Sequence, residues 1–246
     1  PIFDSAEAFL KWDVAQASLP AGSGGILPPD KLRAGSSSNL QAGSLRYDAD
    51  SPAAKAIQLF QQLLKFHQND KDKSAFIDAD IARLVYGKNI AFGEEKTARF
   101  KKAIRVVAEK WSGNELAAVA WYQYAAAIRD EGKLTEAHAI AGRTAKDFPN
   151  SNGGALCRYV MNQIESKSAN ITTERIWNAP FPSIEVRYKN IETIHFRAVP
   201  MDWDSFVQKK KRLPDYLNDD ELKEILSKKP ALEWSSKLPP TADFKE

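Results

Sequence analysis

Few side chains in this chain are of the kinds that do chemistry, and none of them assembles into a known catalytic pattern. His67, His138 and His195 lie far apart on separate segments. No His-Glu-x-x-His stretch and no Cys/His spacing suited to zinc is present. Cys157 stands in Gly154-Ala155-Leu156-Cys157-Arg158-Tyr159, on a helix beside large apolar residues, where a free thiol serves as a small hydrophobe. The carboxylate pairs Asp78/Asp80 and Asp219/Asp220 are read at loop-like or helix-start positions, where capping explains them. Gly22-Ser23-Gly24-Gly25 is followed by neither Lys-Ser nor Lys-Thr and opens no strong helix, so it cradles no phosphate. Asn170-Ile171-Thr172 is a formal glycosylation acceptor. Trp111, Trp121, Trp177, Trp203 and Trp234 are read as core wedges ahead of ligand platforms. The residues therefore point away from an enzyme and call for no cofactor or metal.

With no reactive cluster to position, the elements become the informative level. Residues 4–17 open with a short amphipathic stretch carrying Phe9, Leu10, Trp12 and Val14. Residues 19–39 then run through Gly, Pro and Ser clusters that sustain neither helical nor strand periodicity, which reads as an extended connector. From residue 51 the pattern is helix after helix. Ser51-Pro52 is a cap followed by proline at the first helical position. Ile57, Phe60, Leu63, Leu64 and Phe66 are expected to form its inward stripe. Further helices are predicted over 75–86, from Glu94 through Trp111, and over 115–129, 134–147 and 154–165. Short turns between them imply antiparallel pairs.

One pair carries a repeat signature. Trp121, Tyr124, Ala125, Ile128, Gly132, Ala137, Ala141 and Pro149 follow the tetratricopeptide order and spacing, with short residues where two helices cross and aromatic residues filling the wedge beside them. On the Trp121 helix, Tyr122 and Arg129, together with Val119, are directed away from the wedge, so Tyr122 and Arg129 are the candidate partner-binding residues. The alternative is that neighbouring helices or a following domain cover them.

After Ile171 the hydrophobic period changes to two. Ile184, Val186 and Tyr188 alternate with charged residues, and after a turn near Asn190 so do Ile194, Phe196 and Ala198, which predicts a hairpin. Short helices are expected over 203–212 and 218–227, the second opened by Asn218 and Glu221 at capping-box spacing. The stretch from Trp234 to Pro240 is extended. A lone hairpin is marginal in water, so this region needs further strands.

Composition bounds these readings. The chain has 246 residues, 43% hydrophobic and 27% charged, with net charge +3. That suits two folded regions of ordinary globular character. A single cysteine rules out an internal disulfide, and no apolar run approaches the roughly 20 residues of a membrane span. The one dense basic run, Lys209–Arg212, is followed at once by Asp215, Asp219, Asp220 and Glu221. It reads as a solvated helix end, not a nucleic-acid surface. Pro1 is not a natural translation start, so the chain is expected to be processed or excised, and a missing leader says nothing of export. The divisions are residues 1–50 (short helix and connector), 51–170 (helical repeat) and 171–246 (β-rich).

Several stretches across 51–246 together resemble the N-terminal part of large bacterial alpha-2-macroglobulin-like proteins. They include the helix from Ala56 to His67, Ile77–Leu84, Phe148–Ser151 and Gly154–Cys157. In the β part they include Pro180-Phe181-Pro182, Val186–Ile191, Ile194–Arg197, Glu233–Ser235 and Leu238–Phe244. Residues 1–50 lie outside the resemblance. It implies TPR-like helical hairpins followed by an incomplete macroglobulin-like β-sandwich domain in a large extracytoplasmic protein of the periplasm, envelope or exterior. Its partners would be other domains of the same chain, and proteases or peptides. Such proteins trap proteases when a bait segment is cut, and many carry a Cys-Gly-Glu-Gln thioester. Here Cys157 is followed by Arg158-Tyr159-Val160, so no catalytic residue carries over. A non-catalytic scaffold is expected, the alternative being a TPR-like peptide- or protein-binding adaptor unrelated to protease control.

Overall fold

The structure, a computed structural model, describes residues 1–12, 18–19, 45–46, 51–173, 183–213 and 216–245. They form two compact units, Pro1–Glu165 and Ser166–Glu246. The chain is helical first, then a run of short antiparallel strands interrupted by two short helices.

In the first unit, α1 (Ala6–Leu10) precedes β1 (Ser18–Leu19) and β2 (Leu45–Arg46), a two-residue antiparallel bridge. Apart from that bridge, the connector read over 19–39 lies outside the described residues, as does Val14. The helices α2 (Pro52–His67), α3 (Ser74–Ile90), α4 (Lys96–Lys110), α5 (Ala117–Asp130), α6 (Leu134–Asp147) and α7 (Asn152–Glu165) follow. Each of α2 to α7 packs on its neighbour in sequence, and α7 also packs on α5. The Ser51 side chain accepts from the Ala54 amide at 3.2 Å, as its sequence position predicts. Gly132, at φ +76, closes α5 in a conformation that any Cβ would strain. Ile57, Leu64, Ile77, Leu84, Phe100 and Ile104 form the fully buried centre.

Two expectations for this unit need correction. The stripe on α2 buries Ile57 and Leu64 and half-buries Phe60, but Leu63 and Phe66 face solvent, Phe66 at 76% exposure. At about 100° per residue Phe66 lies half a turn from Ile57, so both cannot share one face. Asp78 and Asp80 are not at a helix start either. Both lie inside α3, and Asp80 is buried against Arg83.

The N-terminal segment packs into this core. Ile2, Phe3, Ala6 and Phe9 are buried, Phe9 completely. Arg83, itself 1% exposed, donates from Nη1 to the Ile2 carbonyl at 2.7 Å and from Nη2 to the Asp4 carbonyl at 3.1 Å. Its guanidinium lies 4.6 Å from the centre of the Phe9 ring. Gln61 on α2 donates to the Phe9 and Trp12 carbonyls, both at 2.8 Å. Gly87 gives the segment room, since a Cβ there would stand 2.7 Å from the Ile2 side chain, which would have to shift.

The second unit holds β3 (Ser168–Thr173), β4 (Ile184–Lys189), β5 (Thr193–Ala198), α8 (Trp203–Lys210), α9 (Asp219–Leu226) and β6 (Leu232–Lys237). The hairpin predicted from β4 to β5 does not form. β4 pairs with β3, Ser168 opposite Lys189 and Thr173 opposite Ile184, while β5 pairs with β6, Thr193 opposite Lys237. Asn190 explains the change of partner. It sits at φ 55, its amide donates to Thr241 Oγ1 at 3.0 Å, and its Nδ2 donates to the Ser166 carbonyl at 3.1 Å. That corner redirects the chain from one two-stranded ladder to the other. The capping box of α9 is present as its spacing predicts, with the Asn218 side chain accepting from the Glu221 amide.

Candidate functional site

An open groove in the helical unit lies where the repeat signature sits. Trp121 and Tyr124, on successive turns of α5, meet edge to face with ring centres 5.9 Å apart. The Arg143 guanidinium of α6 lies 5.1 Å from the Trp121 ring centre. With Arg105 and Glu109 of α4, and Ile140 and Phe148, they line an open cavity of about 830 Å³. Its shape follows from short side chains: Ala125, Ala137 and Ala141 are buried and allow α5 and α6 to approach closely. Gly153 does the same for α7, since a Cβ there would stand 2.3 Å from the Ala118 backbone. An aromatic wall, two guanidinium groups and the carboxylates of Glu136 and Asp147 at the margin suit a peptide of mixed charge.

The candidate residues Tyr122 and Arg129 are both half-buried and lie off this groove. Arg129 Nη1 donates to Gln163 Oε1 on α7 at 2.5 Å, and its Nη2 donates to Asp130 at 2.8 Å. Val119 packs against the core. Sequence reasoning missed Arg143 and Arg105. The signal that could have found them is spacing, since Arg143 follows Ile140 by three residues on the same face of α6.

The other reactive side chains are placed as follows. Cys157 is buried on α7, and burial pushes its thiol up to about 11, so it is not a thiolate at neutral pH. His67 Nδ1 meets Asp70 Oδ2 at 2.7 Å, and His138 Nε2 meets Glu165 Oε1 at 2.5 Å, each on the helical unit's surface layer. His195 is exposed on β5. Glu221 is the buried carboxylate of the second unit, held by Arg212 and by Lys210 at 3.4 Å, so the Lys209–Arg212 run is partly neutralised within the unit. Among the described residues no group of three His, Cys, Asp or Glu side chains is placed to hold a metal ion. No helix among them is long and apolar enough to cross a membrane.

The tryptophans divide. Trp111 and Trp121 are half-buried against the helical core. Trp203 and Trp234 are exposed, contrary to their reading as core, and Trp177 lies outside the described residues. The reason is general to the second unit: among its described residues no apolar side chain is buried, and Ile171, Tyr216, Leu232 and Trp234 all face solvent. Trp234 stacks on Phe196 across the β5–β6 ladder, centres 4.8 Å apart, with Phe196 half-buried and Trp234 38% exposed.

Compared with protein-family models, with curated proteins and with solved structures, the chain finds no match in any of the three.

Proposed function

We propose that this chain is a non-catalytic scaffold and interaction region of a bacterial alpha-2-macroglobulin-like protein. In this reading the first unit is a TPR-like array of helical hairpins, and the second is a partial macroglobulin-like sandwich. The protein works outside the cytoplasm, in protease trapping or envelope defence. The observation that supports it most directly is the second unit's lack of a buried apolar side chain among its described residues. Two-stranded ladders with one wholly exposed strand each are marginal in water, which suits a unit completed by neighbouring protein. A trap assembled from many sandwich domains supplies such neighbours.

The experiment uses the natural protein mixed with an excess-limited protease. A closed shell admits small substrates and excludes large ones. The trapped protease should keep its activity on a small peptide ester and lose it on a folded protein substrate. Equal loss on both, or no loss on either, sinks the trapping reading.

A second reading is favoured by the groove around Trp121, Tyr124 and Arg143, whose aromatic wall and mixed-charge lining suit a peptide independent of protease control. The gene separates the two. A long coding region with a leader and successive macroglobulin-like domains supports the scaffold, and a leaderless gene ending near Glu246 supports the adaptor.

A further inference from the structure

The first twelve residues are held by the helical unit in the manner of a peptide in a groove. Arg83 and Gln61 together donate to four of the segment's main-chain carbonyls, those of Ile2, Asp4, Phe9 and Trp12. Asp80, one turn before Arg83 on α3, accepts from its Nε at 2.9 Å, so the helix itself fixes the guanidinium that receives the segment. Phe3 meets Phe100 edge to face, and Phe9 is enclosed beneath Arg83. The charges are complementary at the rim. Lys110 of α4 pairs with Glu7 at 2.9 Å, and Arg99 lies 3.6 Å from Asp4.

Ile2, Phe3, Ala6 and Phe9 are buried against the helices, and an open pocket of about 440 Å³ lies beside the segment, lined by Phe3, Ala6, Leu84, Ala103 and Val107. The helix α1 has five residues, far short of the length at which a helix sustains itself, so its form is imposed by the groove. In sequence the segment is joined to α2 through residues 13–50, rich in Gly, Pro and Ser.

We infer that the groove between α2, α3 and α4 is a peptide-docking site, that residues 1–12 are its resident ligand, and that it accepts in trans the same segment of a second copy. The occupant is specified by what the groove reads: two aromatic anchors six residues apart, a small residue between them, acidic side chains toward α4, and main-chain carbonyls offered to Arg83 and Gln61. A tethered segment competes at an effective concentration on the order of mM, so the docked state within one chain dominates in dilute solution. Exchange between copies then belongs to high local concentration, as on a crowded surface.

The probe is a fluorescent peptide of residues 1–12, titrated by anisotropy against the whole chain. Phe9→Asp in the chain disables the resident segment while leaving the groove intact. That variant should bind the peptide at least about 10-fold more tightly than the wild-type chain, which must first displace its own copy. Adding Arg83→Met to the variant should abolish binding. In a second arm, a protease site replaces Ser36–Ser38 in the otherwise wild-type chain. After cutting, the severed segment should exchange for the labelled peptide with the helical circular dichroism retained. Near mM, the uncut chain should gain a dimer population that excess peptide dissolves. The inference is overturned by a folded Phe9→Asp chain that ignores the peptide, or by wild type and variant binding alike. It is overturned equally by a chain that stays monomeric near mM, or by loss of helicity in the variant and on release after cutting. That last outcome would make residues 1–12 ordinary core.

Discussion

At the scale of single residues, Arg83–Asp80 is the most deeply buried ion pair among the described residues. Both side chains are almost fully buried, and Arg83 spends its remaining donors on the Ile2 and Asp4 carbonyls. Removing one partner of such a pair leaves an uncompensated buried charge. Arg83→Met should therefore lower stability by about 3–5 kcal/mol. Arg83→Met with Asp80→Leu should recover part of that loss, since replacing both charges by apolar groups is often neutral. Urea midpoints of the two variants, compared at unchanged slope, decide the point, and a double variant no better than the single sinks it. The acid behaviour follows from two carboxyl groups of opposite sign. The Lys110 hydrogen bond holds Glu7 down to about 2, so its contribution is present above its ordinary value of 4.5 and lost as pH falls toward 2. Burial pushes Asp80 up against the pull of Arg83, so its term is present below 3.8 and fades as pH rises through the folded value. Glu7 is mostly exposed, so salt weakens its share. Glu7→Gln should narrow the stability gap to wild type between pH 4.5 and 2, and a Tm difference unchanged across that window contradicts the assignment.

At the scale of elements, close helix crossings are the sensitive points. Gly153→Ala places a Cβ against the Ala118 backbone, and backbone cannot swing aside as a side chain does. It should cost about 1–3 kcal/mol by overpacking between α5 and α7. Gly142→Ala is the control: the nearest atoms are 3.7 Å away on the flexible Met161 side chain. It should be neutral or stabilise by about 0.4–1 kcal/mol, through helix propensity and a less free unfolded chain. Thermal melts of both check the contrast, which is gone if the two shift alike. The helices were legible in the sequence because the apolar period of 3.6 is local: α6 spans 134–147 as its pattern predicts, and the Asn218 capping box forms. The strand alternation was legible too, but strand pairing was not. β4 alternates as expected and β5 does so through Phe196, though Ala198 is exposed, yet their partners are set by the Asn190 corner and by strands distant in sequence, which periodicity does not encode. The seat for residues 1–12 was hidden for the same reason. Arg83 looks like any helix arginine until Ile2 and Asp4 arrive from about eighty residues away.

At the scale of the whole chain, the two units differ in what opposes their conformational entropy. Ordering a residue costs roughly 1–2 kcal/mol of backbone entropy, and burial of apolar surface at about 25 cal/mol per Å² is the main term against it. The first unit has a continuous buried cluster running from Ile2 through Ala127. The second has hydrogen-bonded ladders, the Glu221 cluster and the Phe196–Trp234 stack, but no buried apolar side chain among its described residues. Every residue of β3 and β6 is exposed. Native-state hydrogen exchange on the intact chain should reflect this. Amides of α3 to α5 should exchange only through global opening, and those of β3 and β6 through openings at least about 1,000-fold more frequent. Heating should give a cooperative loss of helix preceded by loss of strand protection. Supplying a protein that covers the exposed face of Trp234 and Leu232 should slow exchange in β6 and leave α3 to α5 unchanged, because mass action stabilises only the unit that binds. Strand amides as slow as helix amides, with no partner added, would mean that the second unit is held by something other than apolar burial.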